Sequence, residues 1–85
     1  MSVKVIRGRV EIHAEGSDIF RVEHRDGAVE FASSPEEAMK LVKAHLDRSR
    51  RRAQRIDSGA EIAWITTIEW HVPPGTSIPG AMVKA

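Results

Sequence analysis

Apolar and polar residues alternate at the start of the chain, but the alternation is interrupted once. The apolar positions of this first predicted strand are Val3, Val5, Val10 and Ile12. Side chains alternate between the two faces of a strand, so the change from odd to even positions requires one residue to be skipped. Gly8 lies between the two halves and accepts the backbone angles of a β-bulge, so we expect the bulge there.

A hairpin is predicted next, after a turn at residues 15–18. Asp26-Gly27 is typical of a two-residue type I′ turn, because both central residues of that turn need positive φ angles. With this turn, the two strands of the hairpin share one inner, apolar face. The residues expected on that face are Phe20, Val22, His24, Val29 and Phe31. Those expected on the outer face of the second strand are Ala28, Glu30 and Ala32.

The segment Ser34-Pro35-Glu36-Glu37 has the sequence of a helix start. Ser34 can accept a hydrogen bond from the first turn, Pro35 fits the first helical position, and Glu37 lies at the capping-box position. We predict a helix from there to about Ile56, because apolar and small residues recur every three or four positions. The residues of this stripe are Met39, Val42, Leu46, Ser49, Ala53 and Ile56.

Residues 61–72 are predicted to form the longest strand, which Pro73 ends because proline cannot donate to a ladder. Its expected inner face carries Ile62, Trp64, Thr66, Ile68, Trp70 and Val72. The order β-β-β-α-β predicts an α+β, two-layer fold in which one long helix packs on one face of an antiparallel sheet. We assign residues 1–72 to a single domain and residues 73–85 to a Pro/Gly-containing C-terminal tail.

The outer face of this sheet is expected to be only partly polar. Its small and apolar residues are Ala28, Ala32, Ala63 and Ile65. Such a face is compatible with a homodimer.

Composition limits the class of protein further. The 85 residues suffice for one domain, and 41% apolar with 29% charged residues is typical of a folded chain. The chain has no Cys, which excludes disulfides and Cys-ligated zinc. No apolar run reaches the length of a signal peptide or a membrane span, so we expect a cytoplasmic protein without a membrane partner.

Charge is distributed unevenly although the net charge is only +1. Residues 40–56 carry a net charge of +6, and the rest of the chain carries −5. Arginines along a helix can each make forked hydrogen bonds to phosphates, so this segment is the candidate binding site. The candidate residues are Lys40, Arg48, Arg50, Arg51, Arg52 and Arg55. The alternative for these residues is a solvated helix face, with or without pairing to the acidic strands.

We therefore expect a small non-enzymatic binding or regulatory protein whose Arg-rich helix face engages an anionic partner. That partner is a nucleic acid or a nucleoprotein complex, and the low net charge argues against strong nonspecific DNA binding. Two alternatives remain open. One is a stoichiometric inhibitor of the phage or mobile-element type, anti-defence or anti-CRISPR-like, that binds an acidic protein surface. The other is a small nuclease toxin that uses His45.

Histidine and tryptophan are the remaining candidates for chemistry. The histidines are His13, His24, His45 and His71. No two of them are spaced i,i+4, so we predict no metal site, no cofactor and no catalytic residue. Trp64 and Trp70 share the apolar face of their strand and are expected to pack in the core, and no aromatic residue interrupts the Arg-rich segment.

Overall fold

A computed structural model of the chain describes residues 3–56, 59 and 61–79 and contains one sheet and one long helix. The elements are β1 (Val3–Gly16), β2 (Ile19–Glu23), β3 (Val29–Ala32), α1 (Pro35–Ile56) and β4 (Glu61–His71). The four strands lie in the order β3-β2-β1-β4, and α1 packs against β2 and β3. The predicted α+β class, element order and helix on one sheet face are confirmed.

The sheet is mixed, which corrects the prediction that it is antiparallel. β2 is antiparallel to both β1 and β3, whereas β4 pairs with β1 in parallel. The reason lies in the connection. β1 and β3 run in the same direction, and α1 carries the chain back along the sheet to the end at which β3 begins. β4 therefore runs parallel to β3 and to β1.

The predicted bulge at Gly8 is wrong. β1 and β4 pair without interruption from Val3–Glu61 to His13–His71, and the irregularity of β1 lies instead between Ala14 and Gly16. Val3 and Val5 consequently lie exposed on the outer face. Gly8 has a different role, because a Cβ atom there would lie 2.7 Å from the Cδ and Nε atoms of Arg25. The missing side chain makes room for that arginine on the helix side of the sheet.

The β2–β3 turn contains three residues, not two. Gly27 donates its backbone N–H to the His24 carbonyl at 3.0 Å, and His24 donates to the Ala28 carbonyl at 2.8 Å. Gly27 has a φ of 91°, as expected for the left-handed residue that follows a type I turn in a three-residue loop. Because side chains alternate with a period of two, the extra residue exchanges the two faces of β3.

The assignment of faces on β3 is therefore corrected. Ala32 is 5% exposed and belongs to the core, whereas Phe31 is 63% exposed on the outer face beside the half-exposed Val29. Glu30 pairs with Val22 on the helix side. The homodimer stays a prediction, and Ala32 no longer contributes to it.

The helix begins as predicted. The backbone N–H of Glu37 donates to Ser34 Oγ at 3.1 Å. The Glu37 carboxylate accepts hydrogen bonds from the backbone N–H and the hydroxyl of Ser33, and these bonds hold the pKa of Glu37 below its ordinary value. The capping reaches back one residue further than in the standard capping box.

The predicted stripe of α1 is only partly buried. Val42 is buried, Met39 and Leu46 pack against the core from partly buried positions, Ser49 and Ala53 are half-buried, and Ile56 is 80% exposed. Ala38, which the stripe did not include, is also buried in the core. The first half of the helix thus packs on the sheet, and the second half extends past β2 and β3.

The core lies between the first half of α1 and the sheet. Its buried apolar residues are Val10, Ile12, Phe20, Val22, Ala32, Ala38 and Val42. Ile68 and Trp70 of β4, and Val72 just after it, pack against this cluster, as predicted for the inner face.

Thr76 closes a turn in the predicted tail, because its N–H and its hydroxyl both donate to the Pro73 carbonyl. The rest of the predicted tail, residues 80–85, lies outside the described residues.

No helix in the described part of the chain is long and apolar enough to cross a membrane.

The three-residue turn predicts that charged substitutions at Ala32 and at Phe31 of β3 differ strongly in their effect on stability. Ala32→Asp buries a carboxylate among apolar side chains and should lower the free energy of unfolding by several kcal/mol or prevent folding. Phe31→Asp places the same group in solvent and should change that free energy by only about 0.5 kcal/mol. Urea unfolding of both variants, followed by circular dichroism, tests the assignment. Greater damage from Phe31→Asp would mean that the two-residue turn is correct.

Candidate functional site

The predicted binding residues all lie exposed on α1. They are Lys40, Arg48, Arg50, Arg51, Arg52 and Arg55. Within residues 3–56, 59 and 61–79, none of their charged nitrogens lies within 4.0 Å of a carboxylate oxygen. The i,i+4 partners Glu36 and Asp47 form no such pair with them either. The second half of the helix therefore presents positive charge that the described acids leave uncompensated.

On the other side of the sheet, four acidic side chains form ion pairs with arginines of the strands. Arg9 lies 3.4 Å from both Glu11 and Glu69. Arg21 forms ion pairs with Glu15 and Glu23 on the same outer face. These four strand acids pair with strand arginines and not with the helix. A solvated helix face stays the alternative interpretation of the α1 arginines.

Two gaps separate the second half of α1 from the sheet, one on each side of the helix. A gap of 220 Å³ is bounded by Arg50, Gln54, Ile62 and Trp64. A second gap, of 260 Å³, is lined by residues that include Arg25, Arg52, Ile56 and Trp64. At 100° per residue, Arg50 and Arg52 project to opposite sides of the helix, which is why each reaches a different gap. Trp64 borders both gaps.

Trp64 does not pack in the core, which corrects the prediction for this residue. It is half-buried and lies outside the core cluster, whereas Trp70 packs against that cluster as predicted. The guanidinium carbon of Arg25 lies 5.3 Å from the centroid of the Trp64 ring, within the range of a cation–π contact. We call Trp64, Arg25, Arg50 and Arg52 the Trp64 groove.

Sequence reasoning missed this groove because its members come from three separate elements. Arg25 lies in the β2–β3 turn, the two helix arginines follow 25 or more residues later, and Trp64 lies on β4. The sequence therefore shows no aromatic residue within the Arg-rich segment, although the fold places one beside it. Two exposed arginines flanking a half-buried ring can bind a planar group and an anion at the same time.

The first pair of histidines lies on the outer face of the sheet. His13 and His71 are directly paired residues of β1 and β4, and their rings stack with centroids 4.3 Å apart and planes 5° apart. The Nε2 atoms of His13 and His71 lie 2.9 and 3.6 Å from the same atom, Glu11 Oε1. The hydrogen bond from His13 is the main cause that holds the pKa of Glu11 below its ordinary value.

The second pair joins the β2–β3 turn to α1. The rings of His24 and His45 stack with centroids 3.9 Å apart. His24 Nε2 lies 2.7 Å from Glu30 Oε1, and His45 Nε2 lies 3.0 Å from Asp26 Oδ2. The His45 side chain is 13% exposed and faces His24 and Asp26, an arrangement suited to fastening the turn to the helix.

Burial lowers the pKa of His24, although the hydrogen bond to Glu30 and the charges of Glu30 and Asp26 act in the opposite direction. The side chain of His24 is 1% exposed, so a charge on it would lose nearly all of its hydration. The neighbouring His45 also disfavours protonation of His24. At Asp26, the backbone N–H of Ala28 is the main cause that lowers the pKa, followed among the stabilising contacts by the hydrogen bond to His45.

Neither histidine pair was expected, because the members of each pair are far apart in the sequence. The parallel register of β1 and β4 places His13 beside His71, and this register cannot be read from the sequence.

Comparisons with protein-family models, with curated proteins and with solved structures find no match.

The lowered pKa of His24 predicts a loss of stability in mild acid. Unfolded histidine takes up a proton near pH 6.5, whereas folded His24 resists protonation until a lower pH. The free energy of unfolding should thus be highest above about pH 6.5 and should fall as the pH drops from there toward the folded pKa.

His24→Gln should flatten this part of the stability profile, measured by urea unfolding between pH 7.5 and 5 in the presence of a chelator. The exposed substitution His71→Gln is the control and should keep the slope. An unchanged slope in His24→Gln would contradict the assignment. Loss of stability below about pH 4.5 belongs to the carboxylates with lowered pKa values, Glu11, Asp26 and Glu37, and is expected in all variants.

Proposed function

We propose that this protein is a non-enzymatic module that binds single-stranded nucleic acid through the second half of α1 and the Trp64 groove. The observation that carries the proposal is the position of Trp64 among Arg25, Arg50 and Arg52. Proteins that bind single strands combine aromatic rings on which bases stack with cationic side chains that follow the phosphates. A half-buried ring bordered by arginines offers both contacts.

The electrostatic support comes from the separation of charge between the two layers. Acids and arginines neutralise each other on the outer face of the sheet, whereas the arginines of α1 remain exposed on the opposite side. The chain extends 15 Å along its shortest principal axis. That distance exceeds the Debye length of about 8 Å at physiological ionic strength, so the outer acids are largely screened from a ligand on the helix side.

The helix arginines divide into two roles in this proposal. Arg52 lines the gap that also contains Arg25 and contacts the nucleotide whose base stacks near Trp64, whereas Arg50 lines the gap on the other side of the helix and contacts a second phosphate. Arg48, Arg51 and Arg55, with Lys40, project away from the sheet and contact neighbouring phosphates along a helix about 33 Å long. These contacts do not depend on base identity, because they are made to the backbone.

Single strands are favoured over duplex DNA by the aromatic contact. A base reaches the Trp64 ring only when it is unstacked from its neighbours, and it would take up the position above the ring that Arg25 now holds. Arg25 would then be free to contact the adjacent phosphate.

The proposal includes a cytoplasmic location, because a chain without Cys needs no oxidising compartment. It also includes the absence of catalysis.

A salt titration of binding to fluorescent single-stranded DNA and RNA tests the charged part of the site. Each phosphate contact contributes about 0.7 to the slope of log affinity against log salt on single strands. Arg50→Gln with Arg52→Gln should therefore reduce the slope by about 1.4 and weaken binding at low salt. The matched control is Arg7→Gln with Arg21→Gln, which removes the same charge from the outer face and should leave the slope unchanged.

Absence of binding to any nucleic acid at low salt would contradict the proposal. The alternative of a stoichiometric inhibitor that binds an acidic protein surface would then replace it. Equal effects of the two double variants would mean that net charge alone, and not the groove, determines affinity.

The aromatic contact is tested separately by Trp64→Leu. Loss of a base–aromatic stack costs about 1–3 kcal/mol, so the affinity for single strands should fall roughly 5- to 150-fold while the salt slope stays the same. Phe31→Leu removes an exposed aromatic ring from the outer face and serves as the control. Fluorescence anisotropy at constant salt gives both affinities. Wild-type affinity in folded Trp64→Leu would exclude stacking at this residue.

A further inference from the structure

The outer face of the sheet contains a second group of side chains, which has no role in the proposed binding of nucleic acid. His13 and His71 occupy paired positions of β1 and β4. His13 Nε2 lies 2.9 Å from Glu11 Oε1, and His71 Nε2 lies 3.6 Å from the same oxygen and 3.5 Å from Glu69 Oε1. The three ligand atoms of Glu11, His13 and His71 all lie within 4.8 Å of one another. Two imidazole nitrogens and one carboxylate oxygen thus lie together on an open surface, and the two stacked rings would rotate about their Cβ–Cγ bonds to direct both nitrogens at one ion.

The two nitrogen-to-oxygen distances are close to those of a metal-binding set. Ligand atoms bound to zinc at about 2.0–2.2 Å lie about 3.3–3.6 Å from one another around a tetrahedral ion. The two nitrogen-to-oxygen distances here are 2.9 and 3.6 Å. In the metal-free chain a proton joins His13 to Glu11, and a cation would replace that proton.

A neighbouring arginine forms an ion pair with the other oxygen of the Glu11 carboxylate. One nitrogen of Arg9 lies 3.4 Å from Glu11 Oε2, and its other terminal nitrogen lies 3.4 Å from Glu69 Oε2. Glu11 Oε1 is thereby left to face the histidines. Outer-shell partners of this kind orient the ligands of metal sites and sustain their affinity.

The cluster of His24, Glu30 and His45 also brings ligand atoms together, but its geometry is less suitable. Its two histidines are hydrogen-bonded to different carboxylates, His24 to Glu30 and His45 to Asp26. The His24 side chain is also closed to solvent, whereas Glu11, His13 and His71 are all reached by solvent.

We propose that Glu11, His13 and His71 form a binding site for a divalent cation of the zinc class on the outer face of the sheet. Imidazole nitrogen with a single carboxylate suits zinc and its transition-metal neighbours better than calcium or magnesium, which prefer all-oxygen sites. Three protein ligands on an open face leave the fourth position to water or to a group of a binding partner. The site lies on the opposite layer from the Trp64 groove, so either proposal can fail alone.

Isothermal titration of Zn²⁺ into metal-free, tag-free protein tests the site. The expected result is one Zn²⁺ per chain, with histidine resonances of His13 and His71 shifting in NMR spectra while those of His24 and His45 do not. His71→Ala truncates a half-exposed side chain and should weaken Zn²⁺ binding by about 100-fold or more, beyond the loss expected from an outer-shell change. Arg9→Gln should weaken it by roughly 10- to 100-fold.

His45→Gln is the matched control, since it removes a histidine from the other cluster and should leave Zn²⁺ affinity unchanged. Absence of Zn²⁺ binding to folded wild type would overturn the proposal. Loss of binding in His45→Gln with retention in His71→Ala would also overturn it and would assign the ion to the second cluster. One ion per two chains would contradict a site completed within one chain.

Discussion

The parallel pairing of β1 with β4 is the interaction on which the rest of the structure depends. It joins residues 3–13 to residues 61–71 without a break, whereas β2 pairs with β1 only from Glu11 onward. Among the described strands, β4 is therefore the only neighbour of the first half of β1. On the outer face this register places His71 beside His13, and on the helix side it places Trp64 beside Ile6. Both proposed sites thus originate in one ladder.

The length of the helix relative to the hairpin explains why Trp64 is left accessible. α1 contains 22 residues and is about 33 Å long, whereas β2 contains five residues and spans about 17 Å. The hairpin can support only the first half of the helix. Beyond it, the helix lies above the two-stranded part of the sheet, and Arg25 and the gaps beside Arg50 and Arg52 occupy the space that core side chains would otherwise fill.

The two layers of the fold differ in how their charges are compensated. The outer face pairs acids with arginines and holds Glu11, His13 and His71 side by side, whereas the helix face retains its positive charge. In a chain with a net charge of +1, this separation is what allows a strongly cationic surface to exist. A formal charge count would miss it, because screening makes the position of a charge more important than the total.

The features that the sequence determined by itself depend on neighbouring residues. The capped start of α1 at Ser34 and Glu37, its end at Ile56 and the inner face of β4 from Ile68 to Val72 follow from local hydrogen bonding and from side-chain periodicity. These signals act over four residues or fewer, so no tertiary information is needed to interpret them. The exposed positions of the helix arginines follow from the same periodicity.

Tertiary structure decided the features that depend on register between distant segments. The direction of β4, the absence of a bulge at Gly8, the stacking of His13 on His71 and the contact of Arg25 with Trp64 all require strands or loops far apart in sequence to be aligned. The Asp26-Gly27 dipeptide is compatible with a two-residue turn and with a three-residue turn, and the structure has the three-residue turn. The one additional residue moves every side chain of β3 to the opposite face of the sheet from the one predicted. Local propensity selects the element, but only the packing of the whole sheet selects the alignment.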